Sequence, residues 1–402
     1  MKKIYYGKAV YNNKEINAVI KVLKNESLTL IDGKYVKKLE KIVSKIFGKK
    51  YGLMVNSGSS ANLLALSSFN FKKGSEVITP NLTFSTTIAP IYQLDLVPHF
   101  IGVIKNKFVA DITQIEKCIN KKSVALMIPN LLGNIAEWKK INKIAKKHNL
   151  KVIEDSADTI GYKINGKTSG KLSDVTTNSF YASHIINGAG TGGIVCFNDY
   201  KYYERAKLLR GWGRSSAIFN ESENINKRFN IKISGIDYDA KYVFSEMGYN
   251  FLPSEISAAF ALEQIKKLKK NIFIRNKNFK YLKNFFSKYN QYFDLPEQNK
   301  GIITPWLAFP LVIKKNKKFN RKQLQIFFEE RKIQTRTIFT GNILKQPIVK
   351  NRKYKKLKNS EKNSNDVMKN GILIGCHSGL TKKNLEYICK SFNLFLKKKN
   401  LI

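Results

Sequence analysis

Between about residues 50 and 200, short apolar runs alternate with longer stretches whose apolar positions recur every three or four residues. YGLMVN, EVITP, VALMIPN, KVIED and SFYASH read as strands; SANLLALSSF, the segment near TTIAPIYQ and EWKKINKIAKKHN read as helices. This alternation predicts an α/β fold with a mostly parallel central sheet and helices on its faces. Loops that carry chemistry then belong beyond the carboxyl ends of the strands. From about residue 255 the pattern changes to a long amphipathic helix from Pro253 to about Lys288, a strand within TPWLAFPLVI, a helix near RKQLQIFFEERK and a last helix from about Lys382. The expected division is a large unit over 1–252, with an N-terminal arm, and a smaller α+β unit over 253–402. The stretch from Ser215 to Tyr242 lacks periodicity and reads as a long excursion, a feature that is often functional in a compact domain.

With 402 residues, 43% of them hydrophobic, the chain can bury a large core. Charges and amides interrupt the opening MKKIYYGKAVYNNKEINAV before any secretion signal forms, and no run reaches a membrane span's length. A cytoplasmic location away from membranes is the expectation. Cys118, Cys196, Cys376 and Cys389 show neither CxxC nor histidine-adjacent spacing, so no metal site and no disulfide framework are expected. The formal charge of +43, from 72 basic and 29 acidic residues, would attract polyanions. Its lysines spread over almost every amphipathic helix, and no helix-turn-helix, RNP or finger signature accompanies them. Solvated faces are therefore expected, with no specific nucleic-acid surface, although anionic small molecules would also be drawn in.

Three segments carry candidate chemistry. Asn56-Ser57-Gly58-Ser59-Ser60-Ala61-Asn62 is a small polar turn between a strand and a helix, which suits a phosphate and equally suits an ordinary helix cap. Val152-Ile153-Glu154-Asp155-Ser156-Ala157-Asp158 is an apolar strand ending in carboxylates. An aspartate there can pair with a protonated pyridine nitrogen or merely cap a helix. Asn178-Ser179-Phe180-Tyr181-Ala182-Ser183-His184 leads into the glycine-rich Gly188-Ala189-Gly190-Thr191-Gly192-Gly193, and a lone histidine such as His184 is more often structural than catalytic.

In order and spacing, these segments together resemble the sugar aminotransferase and dehydratase family of fold-type I pyridoxal-phosphate (PLP) enzymes over nearly the whole chain. The aminotransferases of that family carry, at the position of His184, the lysine that binds the cofactor covalently. No lysine lies between Lys171 and Lys201. Leu132-Gly133-Asn134, Gly248-Tyr249-Asn250, Thr335-Arg336-Thr337 with Phe339 through Pro347, and Ile374 through Thr381 are similar to the histidine-bearing branch, the nucleotide-sugar 3-dehydratases. The resemblance implies that residues 1–252 form the cofactor-binding domain. It places Gly58, Ser59 and Ser179 on the cofactor phosphate, Asp155 on the pyridine nitrogen, Phe84 stacked on the ring and Asp158 near the ring hydroxyl. Asn250 matches a residue that reaches the phosphate of a neighbouring subunit, which implies a homodimer with shared active sites. Arg336 is the candidate substrate or glutamate anchor. Leu252 departs from relatives that place a basic residue there.

Members that act on CDP sugars carry a [2Fe–2S] cluster on thiolates near the Asp155 strand and after Arg214. This chain has Ser156, Ala157 and Ser215-Ser216-Ala217-Ile218 at those places, and such clusters normally need four thiolates. The implied activity is therefore a cluster-free 3-dehydration of a nucleotide-linked 4-keto-6-deoxyhexose in deoxysugar or O-antigen synthesis. Pyridoxamine 5′-phosphate (PMP) would be held without a covalent bond, His184 would be the base, and glutamate would regenerate PMP from PLP. Three readings stay open at this point: an aminotransferase with unusual histidine chemistry, a cluster-dependent dehydratase, and a non-catalytic protein that binds B6 or nucleic acid.

Overall fold

The computed structural model describes residues 2–27, 29–168, 170–219, 224–315 and 318–402. Within them the alternating segments form an eight-stranded sheet. Seven strands come from the first half of the chain: β1 (Tyr51–Val55), β2 (Glu76–Pro80), β3 (Val97–Ile101), β4 (Ser123–Pro129), β5 (Lys151–Asp155), β6 (Val175–Ser179) and β7 (Gly193–Phe197). The eighth is the short Lys355–Lys356. The spatial order is β1-β7-β6-β5-β4-β2-β3 and then Lys355–Lys356. β7 runs antiparallel to both its neighbours, and all the other pairs are parallel.

Most of the strands, β6 excepted, read as largely apolar runs because both faces are covered. Side chains alternate between the faces. Leu53, Val55, Met127 and Ile153 pack with Ala61, Leu64 and Leu209 on one side. Met54, Leu126, Ile128 and Val152 pack with Val36, Leu39, Trp138 and Ala258 on the other. A third core, around Phe286, Phe309, Phe392 and Ile372, also takes in Ile4 from the N-terminal arm. It belongs to a four-stranded antiparallel sheet of Phe293–Asp294, Phe309–Ile313, Gly371–Ile374 and Arg336–Thr337, in that order.

Three elements depart from the sequence reading. The long helix expected over Pro253–Lys288 is two helices, Glu255–Lys266 and Leu268–Phe286. They meet at Lys267, where ψ is −3° and the ammonium pairs at 2.6 Å with Glu15 of the N-terminal helix Asn13–Leu23. No Pro or Gly marks the break, so the periodicity runs through it. Only Phe309–Ile313 of TPWLAFPLVI is a strand, because the preceding residues pack against the Leu132–Gly133 turn, with Leu307 N–H bonded to the Leu132 carbonyl. The strand attributed to SFYASH is instead Val175–Ser179, the polar VTTNS. Its side chains find buried partners: Thr177 donates to Asn62 Oδ1, and Asn178 to the Thr159 carbonyl. The excursion after Ser215 contains a short helix, Ile225–Phe229, and a hairpin of Ile231–Ile233 with Ile236–Tyr238; 220–223 lie outside the described residues. No helix among the described residues is long and apolar enough to cross a membrane.

Candidate active site

The carboxyl ends of β1, β4, β5 and β6 border one cavity of about 450 Å³, the place an open α/β sheet offers a ligand. One wall is the turn after β1 and the start of the helix Gly58–Ser67. Ser57 caps that helix by accepting the Ser60 N–H at 3.1 Å. A Cβ on Gly58 would stand 2.6 Å from Ser179 Cβ, and one on Gly193 would stand 2.4 Å from the Ser57 carbonyl carbon. Glycine at both positions lets the turn press against β6 and β7. Gly58, Ser59 and Ser179 line the cavity, and no acidic residue sits in the helix's first turn. Unpaired N–H groups at such an end favour an anion.

Asp155 closes β5 at the cavity floor. Its Oδ2 accepts from Asn62 Nδ2 at 2.9 Å and from Thr87 Oγ1 at 2.8 Å, and its Oδ1 accepts the Ala157 N–H at 3.1 Å. Burial pushes the pKa of this carboxyl up, and the three donors pull it back. A cation in front of it would offset the burial. The strand's alternation sends the adjacent Glu154 to the opposite face, where Tyr162, Ser156 and Asn130 bind it.

His184 follows β6 in a turn closed by its N–H to the Tyr181 carbonyl. The ring stands edge-on to Tyr181, at 5.8 Å between centroids. Nδ1 is buried without a hydrogen-bond partner, and Nε2 lies 3.9 Å from Asp158 Oδ1. Burial is the main reason that the ring's pKa falls to about 4, although the ring keeps one part open to the cavity. The histidine is therefore uncharged at neutral pH. Asp158 binds the Leu132 N–H through Oδ2 at 2.8 Å, and burial raises its pKa to about 7.

Seven of the nine residues singled out from the sequence line this cavity: Gly58, Ser59, Phe84, Asp155, Asp158, Ser179 and His184. Phe84 is 49% exposed and meets Phe339 edge-to-face at 6.0 Å. Asn250 and Arg336 do not line it. Asn250 is exposed and bridges Gly211 through its backbone. Arg336 lies 5.0 Å over the ring of Tyr6, itself a lining residue. No local pattern pointed to Tyr6 and Leu307, which reach the cavity from distant parts of the chain; Phe339, which also lines it, opens one of the segments similar to the histidine-bearing branch but was given no role. Asn62 did carry a signal, as a buried amide within the apolar run SANLLAL. No lysine is among the described residues that line the cavity.

Residues 10–393 match the DegT/DnrJ/EryC1/StrS aminotransferase family. The chain belongs to this family. Among its relatives, the lipopolysaccharide biosynthesis protein RfbH of Salmonella typhimurium strain LT2 is 33% identical, over 91% of this chain and 86% of that protein. The GDP-4-keto-6-deoxy-D-mannose 3-dehydratase of Escherichia coli O55:H7 is 31% identical, over 94% of this chain and 97% of its own. A crystal structure of a GDP-4-keto-6-deoxymannose-3-dehydratase with a trapped PLP–glutamate geminal diamine superposes with a TM-score of 0.86. It is 29% identical, over 96% of this chain and 99% of that one. The mostly parallel sheet expected from the sequence is thus the fold of a DegT/DnrJ/EryC1/StrS aminotransferase-family protein.

Proposed function

We propose that this protein is a PMP- and PLP-dependent 3-dehydratase of a nucleotide-linked 4-keto-6-deoxyhexose, working without an iron–sulfur cluster and with glutamate as the amino donor. The observation that carries the reading is His184, in a cavity that no lysine among the described residues lines, at the position where the family's aminotransferases have their cofactor-binding lysine. The cavity suits a B6 phosphate: an anion cradle at Gly58, Ser59 and Ser179, a buried carboxylate at Asp155, and Phe84 beside them. When bound, the cofactor supplies an amine for the sugar's 4-ketone and an electron-withdrawing protonated pyridine.

The chain's own residues do the rest. Asp155, fixed by Asn62 and Thr87, holds the pyridine proton in place. His184 takes the proton whose loss expels the 3-hydroxyl. With Nδ1 enclosed, Nε2 is the nitrogen left for that transfer. In net terms hydrogen replaces the sugar's 3-hydroxyl while glutamate is oxidised to 2-oxoglutarate and its nitrogen leaves as ammonia, so glutamate supplies the two electrons and no water is formed overall. The cluster-free route draws support from the four cysteines, each buried and outside any disulfide. Burial raises the pKa of every one of these thiols, the reverse of what a thiolate ligand needs. The GDP sugar is the first substrate to test, given the E. coli relative.

Borohydride treatment of the resting enzyme followed by denaturation is expected to release all of its B6 compound. A reduced cofactor on a lysine peptide would overturn the reading. The proposed unit is a homodimer in which Asn250 serves the neighbouring subunit's site. Chains carrying His184→Asn mixed with chains carrying Asn250→Ala should then regain part of the activity, because a heterodimer restores one native site. Proven heterodimers without recovery would exclude shared sites.

A further inference from the structure

Arg275, in the helix Leu268–Phe286, is 2% exposed and has no carboxylate partner among the described residues. Its Nη1 donates to the Trp306 carbonyl at 3.0 Å and to the Leu307 carbonyl at 3.1 Å, and its Nε has no partner. A guanidinium removed from water without a counter-ion is costly, so its presence here needs a compensating role. The backbone it grips leads to the active site. Leu307 N–H donates to the Leu132 carbonyl at 2.9 Å, and Leu132 N–H donates to Asp158 Oδ2 at 2.8 Å. Leu132 holds a left-handed conformation with φ of +59°, which a leucine rarely adopts unless its surroundings impose it. The neighbouring Gly133 leaves no slack, since a Cβ there would stand 3.1 Å from the Pro305 carbonyl oxygen.

We propose that Arg275 is a positioning residue: by fixing the Trp306–Leu307 backbone it holds Leu132 with its N–H on Asp158, and so fixes that carboxyl group beside His184. What Asp158 then does in the reaction rests on the reading of the cavity as a B6 site. The clamp itself is a property of the protein without cofactor. The titratable groups that face Asp158 are Asp155, Tyr6 and His184; those around Arg275 are Cys376, His377 and His184. Burial raises Asp158, and the Leu132 N–H is the bond that opposes it.

The chain has four histidines, His99, His148, His184 and His377, so cofactor-free protein labelled with ¹⁵N-histidine gives an assignable spectrum. The His184→Asn variant identifies that ring. Its shifts should report a step near pH 7 from Asp158, and this step should vanish in Asp158→Asn. Arg275→Met is expected to move the step upward by about one pH unit, a tenfold change in the ionisation constant. Arg275→Lys, which keeps a cationic donor for the two carbonyls, should leave the step near its wild-type position. Gly133→Ala, which forces the two backbones apart with Arg275 intact, should shift it in the same direction as Arg275→Met. A folded Arg275→Met protein that is less stable but keeps its step unmoved overturns the proposal. If Arg275→Met does not fold, an unmoved step in Gly133→Ala overturns it. A failure to process any sugar nucleotide would leave this titration as it is, so the two readings fail separately.

Discussion

Replacing His184 with Asn is expected to leave B6 binding intact while dehydration of a good 4-keto sugar nucleotide falls by roughly a hundredfold or more, the usual contribution of a positioned acid–base group. Asparagine is polar and of similar size, so Tyr181 and Asp158 keep a neighbour at that place, and the cradle at Gly58 is untouched. What disappears is a ring that stays uncharged across the neutral range because burial lowers its pKa to about 4. His184→Lys should behave differently, since an amine there can bind the cofactor covalently and compete with the sugar's 4-ketone. Single-turnover kinetics with PMP-loaded enzyme separates the two cases. An Asn variant that dehydrates at the wild-type rate would make the histidine structural and place the base elsewhere.

Asp155→Asn is expected to cost as much activity by another route. In the wild type, two side-chain donors, Asn62 Nδ2 and Thr87 Oγ1, point at Oδ2 of the carboxylate. An amide can present its oxygen to them, but it brings no negative charge to the pyridine nitrogen. The electron sink should weaken and dehydration should fall by about a hundredfold or more, within the range that one misplaced electrostatic group costs. The pH dependence of stability should change as well. Because the folded pKa of Asp155 is raised, the folded state binds that proton more tightly than the unfolded chain does. Stability is therefore lost as pH rises from the ordinary carboxylate range through the raised value. The amide put in its place does not titrate, so the melting temperature of the cofactor-free variant should fall less than the wild type's as pH rises above the ordinary carboxylate range. A variant both active and as sensitive to rising pH as the wild type would contradict both halves of this expectation.

The parts legible in the sequence are those that short stretches of chain decide. The apolar runs around Leu53, Met127 and Ile153 marked strands, and the turns that follow them are local. Gly58, Asp155 and His184 therefore met in one cavity because each sits at or just past the end of a sheet strand. Long-range packing decides the rest. Tyr6 reaches the cavity from the N-terminal arm, whose Ile4 docks beside Ile333, and no spacing rule connects it to His184. The strand VTTNS looks too polar for a sheet centre until Asn62, Ser156 and Thr159 are in place to bind it. Lys267, at the break between the two helices, pairs with Glu15, 252 residues earlier, a contact invisible to a reading of the helix alone.

The short strand Lys355–Lys356 also bears on how the molecule is made. It pairs with β3 through His99 and Phe100, so the main sheet is completed by residues that leave the ribosome long after their partner strand. Until then β3 presents an open edge, a template for pairing with another chain. That edge is closed only when the second half of the chain is in place, and the lysines on the closing strand keep the finished edge charged.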